Sequence, residues 1–145
     1  MTIELTAAEM AFSLCVEADR MEENGDLLCF DVRAAACLVD QLAAVLSGEF
    51  AQTGGRVYGT YSKASSDWDF YAIVSEKQLA SLLRLGWRTG ATVTSKQSLY
   101  KCGVNLLMCD DHNRFDLIAE ATRQCIEANP SSRNDVIEIW KELGL

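Results

Sequence analysis

From Asp67 to Phe70 polar and apolar residues alternate one by one, a period of two that, continued by the apolar run Tyr71 to Val74, predicts a strand over 68–74. Its pleat sends Asp67 and Asp69 to one face and Trp68 and Phe70 to the other. The run VNLLMC predicts a second strand over 104–109, between Gly103 and the polar Asp110-Asp111-His112-Asn113 turn. Elsewhere the apolar spacing is helical. A capping box at Thr6 and Glu9 opens a helix over 7–23, stopped by Asn24-Gly25, and the stripe Leu38, Leu42, Val45 and Leu46 marks one over 32–47. Ser75 and Gln78 form another capping box before a helix over 76–85 that ends at Gly86. Asp111 or Asn113 caps a helix over 114–128, with Phe115, Ile118 and Thr122 inward and Pro130 past its end. Ser132 and Asp135 open the last one, over 133–143, which docks through Val136, Ile139, Trp140 and Leu143. Weaker patterns predict strands over 49–53, 92–94 and 98–101. These elements imply a single α/β (α+β) domain over 1–145, with a small mixed sheet of three to five strands and helices packed on one face.

The chemistry concentrates between Gly54 and Phe70. Gly54 and Gly55 have no Cβ to keep a phosphate from the backbone. Two carboxylates on one strand face suit Mg²⁺, a hard ion that takes one or two carboxylates together with substrate phosphates. Asp67 and Asp69 are therefore candidate metal ligands, and Gly54, Gly55, Arg56 and Ser66 candidate contacts for a bound nucleotide.

Gly54-Gly55, a spacer of eleven residues and Asp67-Trp68-Asp69-Phe70 together resemble the signature of the nucleotidyltransferase superfamily, with a DNA polymerase beta-like fold. Arg56, Gly59, Thr60 and Ser66 to Phe70 are similar to small, phage-type members, as is Arg114-Phe115-Asp116-Leu117 opening a helix after the second strand. The resemblance spans Leu38 to Leu145, with its specific part between Gly54 and Phe70. It implies a nucleotidyltransferase-like fold in which Asp67 and Asp69 bind Mg²⁺ on a nucleoside triphosphate, and a third carboxylate activates the attacking hydroxyl. At that third position this chain carries Asn105. An amide coordinates a metal through its oxygen but takes no proton from a hydroxyl. Asp110 and Asp111 lie about 17 Å along the strand from Asn105 and are poor substitutes. The resemblance thus implies a catalytic set of Asp67, Asp69 and Asn105 with a degenerate third carboxylate.

A formal net charge of −8 argues against an extended nucleic-acid tract as partner. It is compatible with a single metal-bound nucleotide, or with a protein partner that offers a basic surface. Cys15, Cys29, Cys37, Cys102, Cys109 and Cys125 show no metal-binding spacing. Cys15, Cys37, Cys109 and Cys125 lie in apolar stretches, which implies reduced core thiols. With no signal peptide and no bilayer-length apolar run, the expected setting is cytoplasmic, without membrane contact. Lys63, Ser62 and Ser65 are weaker phosphate candidates, Trp87 and Tyr100 weaker candidates for stacking on a nucleobase, and His112 reads as exposed. Arg123 has Glu120 and Glu127 as helical partners. Three functions follow. One is a nucleotidyltransferase-like protein that binds Mg²⁺–nucleoside triphosphate and transfers a nucleoside monophosphate. The second is a protein of that fold that binds nucleotide or metal without turnover, because Asn105 cannot act as a base. The third is a catalytically inactive protein of that fold, serving as an acidic protein-interaction module or phage-type inhibitor of a host complex.

Overall fold

The computed structural model describes residues 7–47, 50–59, 66–90 and 97–145. The strand expected over 92–94 lies outside them, as do Thr6, Thr60, Ser62, Lys63 and Ser65. In chain order the elements are α1 (Ala7–Glu23), α2 (Cys29–Leu46), β1 (Phe50–Thr53), α3 (Gly55–Tyr58), β2 (Trp68–Ile73), α4 (Glu76–Arg84), β3 (Arg88–Gly90), β4 (Ser98–Lys101), β5 (Val104–Cys109), α5 (His112–Ala128) and α6 (Arg133–Glu142). The five strands form one mixed sheet, ordered β1-β2-β5-β4-β3. Only β2 and β5 run parallel; the other neighbours are antiparallel.

Local chemistry sets several boundaries. Ser75 Oγ accepts from the Gln78 amide at 3.1 Å, and Gln78 Oε1 accepts from the Ser75 amide at 2.9 Å, so the capping box fixes the start of α4. Asp111 Oδ1 accepts from the Arg114 amide and caps α5. Helix α2 begins three residues earlier than its apolar stripe implies, because Asp26 holds the Leu28 amide with its side chain and the Cys29 amide with its carbonyl. Between β4 and β5 the chain turns on Cys102 (φ 45°) and Gly103 (φ 84°), two successive positive-φ residues of the kind that match the twist of a two-residue hairpin. Strand β3 has every residue exposed, so no apolar alternation marks it in the sequence.

The helices divide between both faces of the sheet, not one face as the periodicity alone implies. The reason lies in the central strands, which are apolar on both sides. Trp68, Phe70 and Ala72 of β2 join Val104 and Leu106 of β5 in a core with α1, α2 and α4. Tyr71 of β2 joins Leu107 and Cys109 of β5 in a second core with α3, α5 and α6. A side chain such as Phe70 or Leu106, at most 1% exposed, contributes about 1.5–3 kcal/mol by leaving water. Two such layers cannot be buried by helices on a single face.

The cysteines also divide. Cys29, Cys109 and Cys125 are buried, whereas Cys15, Cys37 and Cys102 are exposed, and all six are free thiols. Cys15 and Cys37 lie in apolar stretches but on the outward sides of their helices, a distinction that composition does not carry. Burial also pushes the Cys109 thiol up to about 11 and raises that of Cys125. A thiol reagent at pH 8 is expected to modify three cysteines rapidly in the native protein and all six after unfolding. Rapid native modification of Cys109 or Cys125, located by mass spectrometry, would contradict this arrangement.

Candidate functional site

Strand pairing brings the candidate residues together. Thr53 of β1 pairs with Asp69 of β2, and Asp69 pairs with Asn105 of β5. Paired residues share a face, so the hydroxyl, carboxylate and amide stand in one row across three strands. Trp68 and Phe70 pack into the opposite core, as alternation requires. Asn105 Nδ2 donates to Asp69 Oδ1 at 2.9 Å and, in a longer contact of 3.4 Å, to Asp67 Oδ2. Both carboxylates therefore converge on one donor. Register also settles the strand's far end: Cys109 pairs with Ile73, and Asp110 and Asp111 lie beyond it, where Asp111 caps α5.

Gly54 makes this approach feasible. Its backbone is at φ 89°, ψ 178°, and a Cβ built there would lie 2.1 Å from Asp69 Oδ2. The bare α-carbon is thus the surface against which the Asp69 carboxylate packs. The chain then closes a single helical turn, α3, in which Val57 and Tyr58 donate their amides to the Gly54 carbonyl. That turn places Tyr58 against Thr53, with the two hydroxyls 3.0 Å apart. Thr53 Oγ1 is 2.7 Å from Thr122 Oγ1, and Thr122 donates to the Ile118 carbonyl. Each hydroxyl has one proton, so the chain of donors runs Tyr58 to Thr53 to Thr122 to Ile118. This buried relay ties β1 and α3 to α5 beneath the carboxylates.

A pocket of about 250 Å³ opens above this row, and Thr53, Gly54, Gly55, Tyr58, Ser66, Asp67, Asp69, Asn105 and Leu107 form one side of it. The other side belongs to α6. Arg133, Val136, Ile137 and Trp140 fall at i, i+3, i+4 and i+7, a single helical stripe with a cation at one end. Trp140 Nε1 is buried and makes no hydrogen bond of ordinary geometry, although its N–H acts on the neighbouring Tyr58 hydroxyl and Cys125 thiol. Burial pushes the Tyr58 phenol up to about 12, so it remains a neutral donor.

Arg133 is the functional candidate that sequence patterning misses. It continues the Val136–Trp140 stripe by one turn, but a polar residue at that place reads as solvated. Arg56, in contrast, is not among the pocket walls. Its guanidinium lies 3.8 Å from the centre of the Trp68 ring, its Nε donates to the Ser66 carbonyl at 2.8 Å, and Glu17 of α1 acts on its charge more strongly than Asp67 or Asp69. It braces the loop that carries Ser66. Arg123 pairs with both Glu120 and Glu127, His112 is exposed at the start of α5, and Trp87 is buried with its Nε1 donating to Gln41.

Asp69 has a pKa raised to about 6, chiefly because burial penalises its charge; Asp67 adds repulsion, while the Asn105 hydrogen bond, Arg133 and Arg56 oppose the rise. Such a carboxylate is ionised at neutral pH at some cost, and a cation would relieve that cost. Among the described residues no three His, Cys, Asp or Glu side chains gather as a self-sufficient metal site. The donor set fits instead an ion that draws its remaining ligands from water and a bound phosphate. Asp67 and Asp69 supply two carboxylates, and Asn105, turned about its amide, supplies a neutral oxygen.

Two measurements test this geometry. Gly54→Ala is expected to cost about 2–4 kcal/mol in chemical denaturation, from positive φ together with the collision with Asp69. Gly59→Ala, also at positive φ but with open space around the new Cβ, costs about 1 kcal/mol. Equal losses would show that the Asp69 contact is unimportant. For Asp69, a raised native pKa means that the native state holds the proton more tightly than the unfolded chain, so stability falls as pH rises from about 4 through 6. Asp69→Asn therefore stabilises the protein above pH 6, by on the order of 2 kcal/mol, and the gain vanishes at and below pH 4. A pH-independent effect in thermal melts would refute the assignment.

No protein-family model matches this chain, and no curated protein or solved structure matches it either.

Proposed function

We propose that the chain is a nucleotidyltransferase-like protein that binds Mg²⁺–nucleoside triphosphate at Asp67 and Asp69, and that it retains the nucleotide without transferring its monophosphate. The observation that carries this reading is the direct pairing of Asp69 with Asn105, which puts an amide beside the two carboxylates where a proton-abstracting group would be needed. Mg²⁺, when bound, would neutralise phosphate charge and fix the triphosphate against the carboxylates.

The protein's own groups divide the remaining work. Gly54 makes room for the Asp69 carboxylate, while Gly55 and Ser66 line the same wall beside it. Arg133, across the pocket, offers a forked cation to phosphate oxygens. Arg56 holds the Ser66 segment by its carbonyl. Asn105 orients both carboxylates but cannot accept a proton from an acceptor hydroxyl. Transfer to a hydroxyl would leave only the metal-binding carboxylates themselves as bases.

The alternative, an acidic interaction module with an idle pocket, is favoured by a different observation. Phe12 and Val16 of α1, and Leu27 and Phe30 before and within α2, are exposed, and none of them lines the pocket. Calorimetry separates the two. Wild-type protein is expected to bind Mg²⁺–ATP or Mg²⁺–GTP, to lose that binding on EDTA addition and in Asp67→Ala, and to release no pyrophosphate. Pyrophosphate release lost in Asp67→Ala would establish an enzyme. Absence of nucleotide binding would leave the interaction module.

A further inference from the structure

The row that holds the carboxylates continues past Asn105. In the antiparallel half of the sheet Asn105 pairs with Tyr100 of β4, and Tyr100 pairs with Arg88 of β3. With neighbouring strands about 4.8 Å apart, Tyr100 stands about 10 Å from Asp69 and Arg88 about 14 Å, on the same face. Carboxylate, amide, aromatic ring and guanidinium are thus aligned across four strands.

Among the described residues, cover on this face ends at β4. Ser98, paired with Leu107, is buried; Tyr100, two pairs further along, is 43% exposed, and every residue of β3 is exposed. An exposed charge on an edge strand has a sufficient reason, since Arg88 discourages pairing with another chain. Tyr100 has no such reason. It lies on the second strand from the edge, and its neighbours Leu99 and Trp87 are buried in the opposite core. A planar ring left in water outside the pocket wall, about 10 Å along the row from Asp69, is placed to stack on a nucleobase whose phosphates lie at the carboxylates, with a guanidinium extending the platform. The formal charge of −8 limits the ligand to one whose phosphates are locally neutralised, a single nucleotide and not a strand.

We infer that Tyr100, flanked by Arg88, is the stacking platform for the base of a mononucleotide whose phosphates occupy the Asp67–Asp69 site. This inference rests on the nucleotide reading of that site and adds where the base lies. Face stacking is tolerant of base identity, so purine nucleotides bind more tightly than pyrimidine nucleotides only through their larger ring area.

The test compares two Mg²⁺ complexes, ATP and inorganic tripolyphosphate, titrated calorimetrically into the full chain. Tyr100→Ala is expected to weaken Mg²⁺–ATP about tenfold and leave Mg²⁺–tripolyphosphate unchanged, while Tyr100→Phe preserves both. Asp67→Ala abolishes both. The inference alone is overturned if wild type binds Mg²⁺–ATP and Tyr100→Ala binds it equally well, or if Tyr100→Ala weakens both ligands to the same extent. If wild type binds neither ligand, the nucleotide reading of the carboxylate site fails, and the base platform fails with it.

Discussion

The parallel pairing of β2 with β5 is the constraint on which the rest of this structure depends. Six consecutive residue pairs, from Trp68 with Val104 to Ile73 with Cys109, fix which side chains face which layer. A shift of β2 by one residue against β5 would carry Trp68 and Phe70 to the carboxylate side and Asp69 into an apolar core. The cost of such a slip, two large side chains exposed and a charge buried without a partner, is what holds Asp69 beside Asn105. The candidate site is therefore specified by the hydrophobic core more than by its own polar contacts.

That dependence explains why the site was partly legible in the sequence. Alternation across Asp67 to Phe70 separates carboxylates from rings with no knowledge of the fold, and the apolar run of β5 limits where Asn105 can stand. Helix starts were legible where a side chain caps a backbone amide, as at Ser75, Asp111 and Ser132. What stayed hidden depends on which side of an element meets another. Cys15 and Cys37 look like core residues until α1 and α2 are oriented, and Arg133 looks solvated until α6 crosses the carboxylates. The short turn α3 has no apolar period, and β3 is an exposed edge whose existence depends on pairing with β4. The division of helices between two faces follows from the double-sided burial of β2 and β5, which a local pattern records only as hydrophobicity.

Asn105 gives the carboxylate pair a property that a third carboxylate would not. Three acids in this space would repel one another, and at least one would hold a proton or demand a cation. An amide donates hydrogen bonds to both carboxylates and adds no charge. The pair is thereby held in a convergent arrangement without any metal. An amide at this place also offers no proton acceptor. The convergent carboxylates and the lack of a base on Asn105 are two consequences of one amide side chain, and both support the proposed reading of a protein that binds without transfer.

Charge distribution sharpens that conclusion. A chain with a formal charge of −8 repels polyanions at long range, and only local cations can reverse the sign at short range. Arg56 is engaged with Trp68 and the Ser66 carbonyl, and Arg123 with two glutamates, and neither lines the pocket. Arg133 is the arginine on the pocket wall, and its field partly offsets the ionisation cost of Asp69. Among the described residues the pocket wall carries two carboxylates and one guanidinium, with Arg56 acting on Asp69 from outside that wall. On the proposed nucleotide reading, a triphosphate would enter this pocket together with its own cation, because the carboxylates repel its charge and a bound divalent ion would screen it.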